Sequence, residues 1–295
     1  MDSQGGLGWH RVNYMPVIST PSEPEWNSTV RDLTDEEWDH IADLVPEYSG
    51  PGKIGRPVKH AKRDIVNAIL WVTGSGGQWR ALPDRYPPWK TVHWYHVTWS
   101  KDGTWERICD HLRGLVRLRE GREPEPSAAI VDARSVPGAS TCTGETRGHD
   151  AAKKVKGRKT FAVVDTMGLL MAVVVVAASA SDNAGGIAAI GVAAPKSHRF
   201  TKVWTDSGFK REFAKFCRSL GINAEVVRRI AEHSFEVIPR RWVVERSFAW
   251  LVNNRRLRID YERDPEVAAG FVWAAQTRML LRRLTQTRES PGRAG

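Results

Sequence analysis

Between Arg119 and Pro126 the chain changes its period, and that change constrains the fold more than any other feature. Ahead of this charged, Pro-rich segment, apolar residues recur at helical spacing; behind it they run in short β-rich blocks. The front begins at Leu33-Thr34-Asp35-Glu36-Glu37-Trp38, where Thr34 and Glu37 have the spacing of a capping box ahead of Trp38, Ile41, Ala42 and Val45. Further helices are predicted over Lys62 to Val72, Thr91 to Ser100 and Thr104 to Arg117, punctuated by Gly74-Ser-Gly-Gly77 and Lys101-Asp-Gly103. The boundaries expected are a flexible extension over 1–31, a helical unit over 32–118, a linker over 119–127, a larger unit over 128–286 and a flexible tail over 287–295.

Behind the linker, Ala128 to Val131 reads as a short strand, and Lys159 to Val164 and Leu169 to Ala177 as a hairpin turned by Asp165-Thr-Met-Gly168. A helix (Ala184 to Val192), a strand (Thr201 to Thr205), a helix (Phe209 to Leu220) and a strand (Ala224 to Arg228) follow. Two long helices, Pro239 to Arg258 and Pro265 to Leu284, then carry Pro in their first turns. Strands with a hairpin, then alternating helices and strands, imply an α/β fold: a mixed sheet flanked by helices, of the RNase H-like type, preceded by a small all-α domain.

The 295 residues carry a formal net charge of +10, which favours an anionic partner. Three widely spaced cysteines and no CxxC pair give neither a disulfide framework nor a Cys-rich zinc site, and fit a reducing cytoplasm. The N-terminus has no charged stretch leading into an apolar one, and so no secretory signal pattern. The longest apolar run, Leu169 to Ala178, is about half a membrane span and reads as a buried strand. Gly74-Ser-Gly-Gly77 lacks the Lys-Ser/Thr of a phosphate loop, so nucleotide hydrolysis finds no support, and His93 and His96 lack a zinc-spaced partner and read as packing.

Asp132 follows Ala128-Ala-Ile-Val131 and Asp206 follows Lys202-Val-Trp-Thr205, so each acid punctuates an apolar strand. One such acid usually starts a turn; in the mixed sheet the two strands lie side by side, so the pair falls together. Glu245 sits among Trp242, Phe248, Ala249 and Trp250, a pattern that places it near the buried edge of its helix, with Arg241 four residues earlier. Three carboxylates suffice to bridge two divalent ions, which activate water and neutralise the leaving oxygen in phosphodiester cleavage. Asp165 also ends an apolar strand, but its Thr-Met-Gly sequel makes it a turn residue; Asp182 reads as an N-cap or a supporting acid.

Residues 31–286 resemble the DDE transposases of the IS-five family of bacterial insertion sequences. The resemblance rests on Gly77-Gln-Trp-Arg-Ala-Leu-Pro83 with Pro87-Pro-Trp89, Lys153-Lys-Val-Lys-Gly-Arg-Lys159, Val164-Asp-Thr-Met-Gly168, and Arg240-Arg-Trp-Val-Val-Glu-Arg246 with Trp250. It implies an RNase H-like catalytic domain, two Mg²⁺ ions (Mn²⁺ substituting), and a metal-holding catalytic triad of Asp132, Asp206 and Glu245 supported by Arg241. It further implies binding to double-stranded terminal inverted repeats, joining of 3′ ends to target DNA, assembly of more than one copy on DNA, and a place at the bacterial nucleoid. A repurposed copy would keep only the DNA binding. The extended family signature has Ile238 and Val252 in place of its Tyr and Lys.

Thr146 to Lys159 carries a net charge of +5, which makes Lys153, Lys154, Lys156, Arg158 and Lys159 candidate phosphate contacts. Pro239 to Arg283 holds ten Arg and no Lys, and Arg246, Arg255, Arg256 and Arg258 are expected to follow DNA beyond Glu245, with some of these Arg pairing instead with Asp260, Glu262, Asp264 and Glu266. Six of the thirteen Trp fall between Trp71 and Trp105 and read as core, with Lys90 to Trp99 left as a candidate groove-reading helix.

Overall fold

The computed structural model describes residues 30–46, 59–227 and 241–286. Most of the expected extension, all of the expected tail and the stretch 228–240 fall outside these. The first helix, α1 (Asp35–Asp39), starts on the capping box: Thr34 accepts from the Glu37 N–H, and the Glu37 carboxylate accepts from the Thr34 N–H. α2 (Lys62–Ser75) ends on Gly76, which takes the left-handed conformation that an L side chain resists. α3 (Trp89–Lys101) and α4 (Thr104–Arg119) follow, parted by a second left-handed glycine, Gly103.

The sheet is built from β1 (Ala128–Pro137), β2 (Gly148–Asp150), β3 (Val155–Asp165), β4 (Leu170–Ala177), β5 (Lys202–Thr205) and β6 (Asn223–Val226). Its order is β2-β3-β1-β5-β6, with β4 also on β3. β1 runs antiparallel to β3 from Ala129↔Asp165 to Pro137↔Gly157, and parallel to β5 from Ala128↔Lys202 to Ile130↔Trp204. α5 (Asp182–Ala193) and α6 (Arg211–Ser219) cover one face, burying Ala129, Val131, Phe161, Val163 and Val203. The other face, with Ile130, Ala162, Val164 and Trp204, packs under α7 (Arg241–Val252) and α8 (Pro265–Thr285). This is the RNase H-like mixed sheet flanked by helices, behind a helical front.

The front helices share a core with that second face. α8 is buried on nearly every side and packs against α2, α3, α4 and β4, which suits its apolar composition all round. Trp99 and Trp105 sit in this core edge to face, and His96 stacks at 4.0 Å on Phe271. Burial pushes the His96 imidazole down to about 3, so it is neutral packing, as its spacing suggested. Segment 120–127 is tied down: Arg117 donates to the Glu123 carbonyl, Ser197 Oγ to the Pro126 carbonyl, and the His198 N–H to Glu125.

Four local expectations are corrected. β1 continues six residues past Val131, because β3 pairs along its whole length and the polar stretch Asp132 to Ser135 is only half-buried. β3 starts at Val155 and not at Lys159, so the basic stretch forms a hairpin of β2 and β3, and its turn holds Lys154 in the left-handed region at φ 53°. α7 ends at Val252, where Asn253 and Asn254 break it; Arg255 and Arg256 lie on the separate turn Arg255–Leu257. The N-cap of α5 is Ser181, whose hydroxyl accepts from the Ala184 N–H, so Asp182 lies in the first turn and not at the cap.

Candidate active site

β1 and β5 carry the two aspartates. The parallel register ends at Ile130↔Trp204, and extended by two residues it sets Asp132 opposite Asp206. Alternation along β1 puts Asp132 on the face of Ile130, under α7, and Asp206 falls on the face of Trp204 by the same parity. Both line one narrow cleft with Ile130, Val131, Trp204, Thr205, Val227 and, from α7, Val244. Both are half-buried, so neither is sealed from solvent.

Each carboxylate is held by a backbone N–H close by, Asp132 within β1 and Asp206 in the loop after β5. Asp132 accepts from the Ala133 N–H at 2.7 Å, and Asp206 Oδ1 from the Gly208 N–H at 2.9 Å. Gly208 lies tight against both acids: a Cβ there would stand 2.7 Å from Asp182 Oδ2 and 3.0 Å from Asp206 Oδ1. Asp182 thus braces the Asp206 loop, and it is itself held by Lys159 at 3.2 Å. Lys159, buried, also donates to the Ala180 carbonyl, and Asp150 beside it accepts from the Ser135 hydroxyl at 2.5 Å. Of the two readings for Asp182, the supporting acid agrees with this geometry.

Glu245 is exposed, not near a buried edge as expected. The buried stripe of α7 is Val244, Ser247 and Leu251, and Glu245 stands one residue, about 100°, away from Val244. Among the described residues no three His, Cys, Asp or Glu side chains are gathered closely enough to enclose a metal ion. The structure therefore brings Asp132 and Asp206 together and leaves Glu245 one helix position beyond the cleft-lining Val244. Arg241 opens α7, and its side chain lies outside what the structure describes.

The basic residues divide. Lys153, Lys154 and Lys156 are exposed on the β2–β3 hairpin, and Lys153 Nζ reaches the Ala133 carbonyl at 3.1 Å, which sets the hairpin beside Asp132. Arg255 and Arg258 are exposed as well. Arg158, Lys159 and Arg256 are buried and spend their charge inside the protein, which corrects their assignment as phosphate contacts. Arg158 pairs with Asp260 at 3.0 Å and Arg256 with Glu262 at 2.6 Å. Arg246 is stacked between Trp242 and Trp250, at 4.4 and 4.6 Å. Asp165, set aside as a turn residue, is that: fully buried, it accepts from the N–H groups of Met167 and Leu169 and pairs with Arg117.

One cation on the Asp132 face of β1 escaped the sequence pattern. Arg134, two positions beyond Asp132 on the same face of β1, donates to the Leu257 carbonyl at 3.2 Å. Its guanidinium is held below the ordinary arginine range by burial and by the neighbouring Arg258. Two neighbouring guanidinium groups on this face suit an anion such as a phosphate. The signal was strand parity, hidden because the apolar run ends at Val131.

Comparison with known proteins agrees with this frame. Residues 33–109 match the family described as "Putative transposase of IS4/5 family" and residues 123–280 the family "Transposase DDE domain". The chain is 31% identical over 124 residues to "Putative transposase for insertion sequence element IS402" of Burkholderia cepacia, covering 39% of this chain and 59% of that relative. It is 32% identical over 114 residues to "Uncharacterized protein y4sN" of Sinorhizobium fredii (strain NBRC 101917 / NGR234), covering 31% of this chain and 89% of that one. The DDE-domain match alone spans more than half of the chain, which therefore belongs to the DDE transposases, of the IS4/5 type.

Proposed function

We propose that this chain binds the terminal inverted repeats of its own insertion sequence, cuts strands at the element's ends and joins the 3′ hydroxyls to target DNA. Asp132, Asp206 and Glu245 hold two Mg²⁺ ions in this reading, with Mn²⁺ a working substitute. The observation that carries it is the β1–β5 register, which sets two half-exposed carboxylates side by side in one cleft. The donor set fits the cation: carboxylate oxygens reachable by water suit Mg²⁺, which keeps several waters and takes further ligands from phosphate. When bound, the ions supply an activated water and neutralise charge on the leaving oxygen. The chain's own part is to fix the two aspartates through Ala133, Gly208 and Asp182, to seat a phosphate at Arg134 and Arg258, and to guide the duplex along Lys153, Lys154 and Lys156 with Arg246 and Arg255. Joining two element ends calls for at least two copies on DNA, at the nucleoid of a bacterial cytoplasm. Among the described residues no helix is long and apolar enough to cross a membrane.

The test is a duplex bearing the element's terminal repeats, incubated with the protein in Mg²⁺ and in chelator. Nicked and joined strands are expected with the ion and none without it. Products that persist in chelator would sink the reading, and binding without cleavage under any divalent ion would leave a DNA-binding protein only. The guiding role of the hairpin has its own readout in salt dependence. Replacing both Lys154 and Lys156 by Ala is expected to lower the slope of log affinity against log salt by about 2, near 0.9 per lost phosphate contact. An unchanged slope would take the hairpin off the DNA path.

A further inference from the structure

The motif Gly77 to Pro83 with Trp89 takes no part in the chemistry above, yet the structure gathers it at one place. It borders an open cleft of roughly 900 Å³ between the front helices and the loop ahead of α8. Trp79 and Trp89 line it from the front, and Tyr261, 38% exposed, from the loop. Unlike Trp99 and Trp105, Trp89 is not consumed by the core.

The charges around this cleft are unevenly committed. Glu262 is neutralised by Arg256 at 2.6 Å, and Asp264 by Lys101 at 2.7 Å. Arg80 and Arg263 also line the cleft, are exposed, and have no carboxylate partner among the described residues. Arg80 lies 5.6 Å from the centre of the Trp89 ring. The buried Trp79 indole N–H has no acceptor among the described residues. The cleft is thus aromatic on both sides and cationic where it meets solvent.

It also lies on the face of the sheet that carries Asp132. From Asp132 to Val136, β1 advances about 13 Å, and Arg134 and Val136 border a pocket shared with Leu257 and Tyr261, the latter also a wall of the cleft.

We propose that this cleft receives an unpaired nucleotide of the DNA strand, its base against Trp89 and Tyr261 and its phosphate on Arg80 and Arg263. A duplex buries its base faces within its own stack, so only an unpaired base can use aromatic walls; aromatic platforms flanked by cations hold single strands in this way. Extruding a base is least costly where it is already single-stranded, which favours a strand end. The assignment rests on the reading of the chain as a DNA-cutting enzyme, but its test needs no cleavage.

Full-length protein in chelator is titrated with two duplexes, one blunt and one with a short single-stranded overhang carrying 2-aminopurine. Binding is expected to quench the overhang probe. Trp89→Ala and Arg80→Gln are each expected to weaken overhang binding about tenfold while blunt-duplex affinity stays the same. No loss for Arg80→Gln, or an equal loss on both duplexes, would overturn the proposal. Arg80 is exposed, so that variant is readable even where Trp89→Ala fails to fold. Failure of Mg²⁺-dependent cleavage by the wild type would instead strike the active-site reading, and the overhang contrast would still decide the cleft.

Discussion

Asp206→Asn is expected to lower strand cleavage by at least about 10³-fold, a barrier change of roughly 4 kcal/mol, with the fold intact. The exchange keeps the shape of the side chain, and an amide oxygen can still accept from the Gly208 N–H that Asp206 Oδ1 now engages at 2.9 Å. The group is half-buried, so the neutral amide leaves no charge stranded in the interior. What disappears is the negative oxygen opposite Asp132, and with it the attraction for a hard cation at the cleft. Three readouts belong together: single-turnover cleavage of a terminal-repeat duplex, Mn²⁺ binding by calorimetry, and thermal melting. Lost cleavage and lost Mn²⁺ binding at an unchanged melting temperature are expected. A variant that cuts within tenfold of the wild type would exclude Asp206 from the metal site.

The fold was legible wherever local chemistry and tertiary structure agree. Thr34 and Glu37 announce α1 because the capping box is satisfied within four residues. Pro265 announces α8 because Pro in a first turn needs nothing from elsewhere. The hairpin at Asp165 was legible too, since its carboxylate closes the turn onto N–H groups only a few positions on. Less legible were features fixed by distant partners. Nothing in Asp132-Ala-Arg-Ser135 reads as strand; it is extended because β3 offers a continuous ladder beside it. β2 is three residues, Gly-His-Asp, with little β preference of its own, and it exists because the start of β3 has an open edge.

The same division runs through the site. That Asp132 and Asp206 share a cleft was legible because sheet order follows the apolar pattern, although Asp132 lies within β1 and not at its end; the place of Arg134 was not, because the pattern stops short of it. Charge density in Thr146 to Lys159 pointed to DNA, but density cannot tell an exposed Lys156 from a buried Arg158. Their separation depends on Asp260, about a hundred positions later in the chain. Arg256 was grouped with its neighbours for the same reason, although its partner Glu262 is only six residues away, across the turn that ends after α7. A run of like charge reads as surface until its counterions are placed.

Arg158 therefore supplies the second large effect. Its guanidinium is fully buried and donates to Asp260 Oδ2 at 3.0 Å, to the carbonyls of Glu262 and Arg263 at 2.9 and 2.7 Å, and to Thr146 Oγ1 at 2.8 Å. It fastens β3 to the loop that carries Tyr261 and leads into α8. Arg158→Met leaves Asp260 buried without its cation and strips donors from two carbonyls, a loss of about 3–5 kcal/mol, or roughly 10 °C in melting temperature. The exposed Lys156→Met should move stability by no more than about 0.5 kcal/mol. Adding Asp260→Leu to Arg158→Met should recover part of the loss, because the stranded carboxylate is then gone. DNA binding separates this account from its rival: a phosphate contact at Arg158 would leave melting unchanged and lower the salt slope by about 0.9, whereas a structural Arg158 lowers melting and leaves the slope of the folded protein as it was.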